Sequence, residues 1–153
     1  MVFAISAQVL LSVSLQNFHF FSCLTRIFLH VAVSSLLSKY AIEPSSIGRV
    51  DVSLTTSSGS ARAITASIVD MLQSAGNAHV EGIVSPNSSY ASVTSFVSAV
   101  DWIESSSWDG RYAMVIVGNY KTNVAVLIGA DAPIILERKF STQLSLEIIF
   151  MKI

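Results

Sequence analysis

Hydrophobic and polar positions divide this chain into two unequal stretches. From Met1 to Leu37 the sequence is apolar almost throughout, with Arg26 as its one charged residue and Phe18, Phe20, Phe21 and Phe28 among its aromatics. From Lys39 onward, apolar positions recur at regular intervals. Pro44, Ser45, Ser46 and Gly48 read as a turn. Arg49 to Leu54 alternates, with Val50, Val52 and Leu54 on one face, and predicts a strand. Thr55 to Ser60 is a polar, glycine-containing link. Ala61 to Ala75 predicts a helix, because Ile64, Ile68 and Leu72 recur every fourth residue with Met71 beside them. Gly76-Asn77 supplies its stop.

Val80 to Val84 reads as a short apolar strand, and Pro86 to Ser89 as a turn. Tyr90 to Glu104 is a second helix, with Val93, Val97 and Val100 on one face. Its charges, Asp101 and Glu104, come only at the end, so it is expected to be buried on most sides. After a turn over Ser105 to Gly110, Tyr112 to Val117 and Val124 to Ile128 are continuous apolar runs. Such runs suit strands covered on both faces. Gly129 to Pro133 reads as a turn and Ile134 to Glu137 as a last strand. The order strand, helix, strand, helix, strand, strand, strand is an α/β pattern.

The first stretch admits three readings. A secretory signal needs a positive start, an apolar core and a small-residue cleavage site. Val9 to Leu15 supplies the core, but the positive start is missing. A membrane helix needs about 20 mostly apolar residues. Val2 to Leu24 is long enough but is interrupted by Gln8, Gln16, Asn17 and His19, so membrane contact through residues 1–24 stays an alternative. The third reading is a partly buried helix, with Val31 to Tyr40 as its last turns, or sequence that is not translated in a normal setting.

Composition sharpens this picture. At 153 residues one domain is expected. Hydrophobic residues make up 52% and charged residues 12%, against about 25% charged in an ordinary domain. Mean hydropathy is +0.61. The chain therefore reads as membrane-associated, as a mostly buried piece of a larger assembly, or as poorly soluble alone. A net charge of −1 gives no electrostatic case for nucleic acid. Cys23 is the single cysteine, so no internal disulfide forms, and it reads as an inert buried thiol. His19, His30 and His79 show no ligand spacing with one another or with Cys23, so no metal site is expected.

Four segments carry a resemblance: SKYAIEPSSIGRVDV at Ser38–Val52, SAGNAHVEGI at Ser74–Ile83, VDWIESSSWDGRYAMV at Val100–Val115 and VLIGADAPIILER at Val126–Arg138. Together they resemble the N-terminal part of HMG-CoA synthase, a thiolase-fold enzyme. The run WIESSSWDGRY, with two tryptophans at fixed spacing, is its most specific part. The resemblance implies a partial, truncated thiolase-like α/β fold, a mixed sheet with buried helices. It divides the chain into an unmatched apolar segment (1–37), a synthase-like domain (38–139) shortened internally near 119–125, and an unmatched tail (140–153).

The family condenses acetyl-CoA with acetoacetyl-CoA, in the mevalonate route to isoprenoids, without a cofactor of its own. It uses a cysteine nucleophile, a glutamate acid/base and a histidine from its C-terminal half. The family's Asn-Ala-Cys-Tyr-Gly-Gly stands here as Asn87-Ser88-Ser89-Tyr90-Ala91-Ser92, which puts Ser89 at the nucleophile position. Its Gly-Arg-Leu-Glu-Val-Gly-Thr-Glu-Thr stands as Gly48 to Thr56, which puts Thr55 at the acid/base position and Asp51 at the other acidic one. A cysteine at a helix N-terminus ionises readily, whereas a serine needs an adjacent base, and threonine cannot act as a carboxylate. Ser89 then reads as a helix N-cap, Asp51 as a solvated or paired strand residue, and His79 as a surface residue. Ala91 and Ser92, in place of two glycines, crowd the thioester's space. Between Gly118 and Leu127 the family's longer substrate-contacting segment is absent.

The expectation is an inactive synthase-like fragment in the cytoplasm. A serine-based thioester hydrolase, a homo- or heterodimer with an intact synthase, retained contact with acyl-CoA and a membrane-anchored protein are its alternatives. Loss of a central part of the sheet is expected to leave strand edges bare.

Overall fold

A computed structural model describes residues 2–9, 18–54, 58–85, 90–118, 123–129 and 135–136. The elements are β1 (Val2–Val9), α1 (Phe18–Lys39), a 3-10 turn (Pro44–Ser46), β2 (Ile47–Leu54), α2 (Ser58–Ser74), β3 (Glu81–Ser85), α3 (Ala91–Glu104), β4 (Tyr112–Gly118), β5 (Asn123–Gly129) and β6 (Ile135–Leu136). They build one mixed sheet in the order β3-β2-β4-β5-β1-β6. β3 and β4 run parallel to β2, while β5 is antiparallel to β4 and β1 antiparallel to β5. The step from β2 to β3 goes one way, and the step from β3 to β4 goes back past β2. Right-handed crossovers in opposite directions place α2 and α3 on opposite faces of the sheet.

Two cores result. On one face α1 and α2 pack over Val50, Val52, Leu54, Met114, Ile116, Ala125 and Leu127. On the other α3 packs over Ala113, Val115, Val117, Val126 and Ile128. Covered on both faces, β4 and β5 are apolar at successive positions, as their continuous runs predicted. β2 is covered on both faces too, but the α3 side carries the polar alternates Arg49, Asp51 and Ser53.

The apolar N-terminal stretch belongs to this fold. β1 pairs with β5 along its length, from Phe3 opposite Gly129 to Val9 opposite Asn123. In α1, Leu29, Ala32, Val33 and Leu36 are fully buried against the sheet, worth about 1.5–3 kcal/mol for each large side chain. A helix thus runs over Phe18–Lys39, and over its described side chains, from Thr25 onward, it is partly buried as the third reading expected. Among the described residues no helix is long and apolar enough to cross a membrane.

Two expectations need correction. α3 is not buried on most sides: Ala91, Ser95, Ala99 and Ile103 form one fully buried line, while Val93 is 41% exposed. The small residues of that line let the helix lie close to the sheet, with Phe96 and Val100 packed at its margin and Val93 turned outward. Nor are bare edges left in mid-sheet after Gly118. Gly118 pairs directly with Asn123, so β4 and β5 close up as a hairpin. Among the described residues the side-chain oxygen of Asn123 is buried without a hydrogen-bond partner.

The WIESSSWDGRY run is a clasp between α3 and the start of the sheet. Trp108 Nε1 donates to the Arg111 carbonyl at 2.8 Å. Arg111 pairs with Asp109 at 2.6 Å and donates to the Ile47 carbonyl at 3.3 Å. That guanidinium holds the Asp109 carboxyl below the usual carboxylate range. Gly48 lies beneath: a Cβ there would fall 2.7 Å from the Trp102 ring. Gly76 adopts φ +98° and closes α2 in a Schellman motif, with Asn77 N–H donating to the Leu72 carbonyl at 3.0 Å and Gly76 N–H to that of Gln73 at 2.9 Å. The Asn77 amide then donates to the Pro44 and Ile47 carbonyls at 2.7 and 2.6 Å, stapling the end of α2 to the start of β2.

Candidate functional site

The three parallel strands end at one edge. β2 leaves the sheet after Leu54 and β4 after Gly118, which pair with each other, and β3 leaves after Ser85, which pairs with Ser53. Parallel α/β sheets hold their ligands at this C-terminal edge. Thr55 is the next residue after Leu54, and Ser89 falls between Ser85 and Ala91. Both lie outside the described residues. The topology nevertheless brings the strand ends that carry them to the same edge, one strand apart.

The N-terminus of α3 faces this edge. Its N-cap is Tyr90, which contributes no capping side chain, so the N-cap role read for Ser89 falls one residue away. Tyr90 is 76% exposed. Its carbonyl accepts from Thr94 N–H at 2.9 Å and from the Thr94 hydroxyl at 3.1 Å.

Below the edge, β2 presents a polar row to α3. Asp51 is fully buried and paired with Arg49 at 2.7 Å. Arg49 also donates to Ser98 Oγ of α3 at 2.5 Å. Burial pushes the Asp51 carboxyl up, against the lowering effect of Arg49's hydrogen bond and charge, and the charge of Glu81 raises it further. Nearer the edge Ser95 donates to Ser85 Oγ at 2.8 Å. The flanking residues Ser53, Leu54, Ser85, Tyr90 and Gly118 include no carboxylate or imidazole. Asp51 is thus a paired strand residue that serves the contact between β2 and α3, and sequence reasoning missed its reach through Arg49 to Ser98. The i, i+2 spacing of Arg49 and Asp51 on one strand face was the available signal.

His79 is exposed and precedes β3, at the opposite end of the strand from the candidate edge. His30 is half-buried between helices, its ring nitrogen 2.5 Å from Ser67 Oγ, and burial followed by the charge of Arg26 holds its pKa down. Neither histidine approaches the edge. The side chains of Cys23 and His19 fall outside the described ones. Among the described residues no group of three His, Cys, Asp or Glu side chains could hold a metal ion.

The profile of the hydroxymethylglutaryl-coenzyme A synthase N-terminal family matches residues 16–133. The chain belongs to that family. A hydroxymethylglutaryl-CoA synthase from Ganoderma lucidum is 39% identical over 127 residues, covering 74% of this chain and 27% of that one. A protein from Cyclocybe aegerita named Delta(6)-protoilludene synthase is 47% identical over 113 residues, covering 73% of this chain and 16% of that one. The fold is also that of PksG, an HMG-CoA synthase from Bacillus subtilis, with TM-score 0.57 at 19% identity over 72% of this chain and 30% of that one. The chain thus spans about a quarter of the length of the synthases it matches. The family match begins at residue 16, inside the stretch whose motifs were silent. That agrees with the packing of α1 into the synthase-like core.

Proposed function

We propose that this member of the HMG-CoA synthase family is catalytically silent. The observation that carries the reading is the residue at the nucleophile position, Ser89 where the family has cysteine. A thiolate at a helix N-terminus attacks acetyl-CoA because its pKa falls within reach of neutral pH. A serine hydroxyl stays protonated unless a base stands against it. Thr55, at the acid/base position, has no proton to exchange near neutral pH. Condensation of acetyl-CoA with acetoacetyl-CoA therefore stops before its first covalent step.

Purified protein incubated with acetyl-labelled acetyl-CoA should carry no label after denaturation, beside a full-length synthase that does. Stable label recovered on Ser89 would defeat the reading. Release of CoA that disappears in Ser89→Ala would replace it with a serine-based thioester hydrolase.

A second reading gives the chain a binding role beside an intact synthase. It is favoured by β3, which stands at the edge of the sheet with its outer row of backbone groups unpaired among the described residues. Such an edge is a template for another strand. Co-purification with a full-length synthase tests it. The proposed location is the cytoplasm, and a carbonate-resistant membrane pool would contradict it.

A further inference from the structure

The turn that joins α3 to β4 carries a reactive pair of residues. Asp109 is followed by Gly110, and no other aspartate or asparagine in the chain precedes a glycine. The Asp109 side chain is 41% exposed. Gly110 is exposed as well, with φ +87°, and a Cβ built on it would meet nothing within 4 Å. A residue without a Cβ leaves its own amide nitrogen open to approach. That nitrogen stands one residue from the Asp109 carboxyl, the spacing at which a five-membered ring closes.

The ring chemistry needs no partner but water. The Gly110 nitrogen bonds to Cγ of the protonated Asp109 carboxyl. The amide proton and the carboxyl hydroxyl leave together as water, and a succinimide remains. Water then adds back at either carbonyl. Addition at Cγ restores aspartate. Addition at the main-chain carbonyl breaks its bond to Gly110, so the chain now runs through the former side chain as isoaspartate.

Arg111 stands against the first step. Its Nε donates to Asp109 Oδ2 at 2.7 Å, its Nη2 lies 2.6 Å from the same oxygen, and its backbone N–H donates to Oδ1 at 3.1 Å. Both oxygens are held, and the neighbouring positive charge keeps the carboxyl in its ionised, unreactive form. We infer that Asp109–Gly110 is a site of spontaneous isoaspartate formation and that Arg111 is its guard. The consequence falls on the clasp. Isoaspartate adds a methylene to the main chain and hangs its free carboxyl from Cα, so it cannot hold the Arg111 backbone and guanidinium together. Arg111 then loses the anchor from which it reaches the Ile47 carbonyl at 3.3 Å. The inference is independent of whether the chain is catalytically silent.

Ageing the full chain for several weeks at neutral pH and physiological temperature tests it. Isoaspartate is counted by an isoaspartate-specific methyltransferase with a labelled methyl donor, and the labelled peptide is isolated to place it. Label is expected on the peptide containing residue 109, slowly in the wild type and not at all in Asp109→Glu, whose longer side chain closes no five-membered ring. Arg111→Gln should accelerate labelling by at least about threefold, since the protonated fraction changes about tenfold with each unit of carboxyl pKa. Arg111→Lys, which keeps the charge, should return the rate toward that of the wild type. Added salt weakens an exposed ion pair, so it should speed the wild type and leave Arg111→Gln unchanged, a response that loosened folding in the variant would not give. Absence of label at residue 109 in both wild type and Arg111→Gln overturns the site. Equal rates in wild type and Arg111→Gln, or a wild-type rate indifferent to salt, overturn the guard.

Discussion

Asp51 is the one acidic residue among the buried polar residues described. Its carboxyl is fully buried, and desolvation outweighs the help of Arg49, so its folded pKa lies above the unfolded one. A raised carboxyl pKa contributes stability that is complete below the unfolded value and is lost as pH rises through the folded value. Thermal melts of the wild type and of Asp51→Asn, taken from acidic pH upward, should therefore diverge. The wild type should lose ground to the variant across that window, and above it the gap should stay constant. A difference that stays constant with pH would show that Arg49 cancels the cost of burial. The polar row also marks what was legible at this scale. The acidic residue and its strand face could be read from alternation, but Ser98 lies 49 positions beyond Arg49 and no local pattern joins them. Ser89 and Thr55 were found by motif alone, since nothing in their own chemistry announces a site.

At the scale of elements, periodicity was a good guide wherever one face met the core. Ile64, Ile68 and Leu72 predicted α2, and they are its buried line. The alternation of Val50, Val52 and Leu54 predicted β2. It failed where burial was uneven. In α3 the valine line predicted the buried face, but the fully buried line is Ala91, Ser95, Ala99 and Ile103, with Val100 only at its margin, because close packing of a helix on strands selects size as well as hydrophobicity. β1 was not legible: its partner β5 lies more than a hundred residues away, and side-chain period cannot reveal a pairing at that distance. The clasp between α3 and β2 gives a direct test. Gly48→Ala puts a methyl group 2.7 Å from the Trp102 ring and 3.1 Å from Arg111 Cβ. An overpacked site of this kind costs about 1–3 kcal/mol. Urea unfolding followed by tryptophan fluorescence should show the midpoint fall by that amount. An unchanged midpoint would mean that Trp102 and Arg111 swing aside freely.

For the whole molecule, the decisive finding is that the N-terminal stretch is structural. The resemblance of motifs alone suggested a domain starting at Ser38, yet α1 covers the sheet with Leu29, Val33 and Leu36 fully buried. A chain lacking residues 1–39 would expose that face of β4 and β5 to water. It should lose its cooperative thermal transition, and a sharp melt in the truncated chain would contradict the role given to α1. The β4–β5 hairpin has a further consequence. Gly118 and Asn123 sit side by side in the sheet, so whatever polypeptide joins them starts and finishes at one place. Each doubling of such a connection costs only about 0.6 kcal/mol in closure entropy. The sheet on either side is indifferent to the length of chain looped out there. The fold thus has a seam at which the connecting chain can lengthen or shorten while every strand keeps its neighbours.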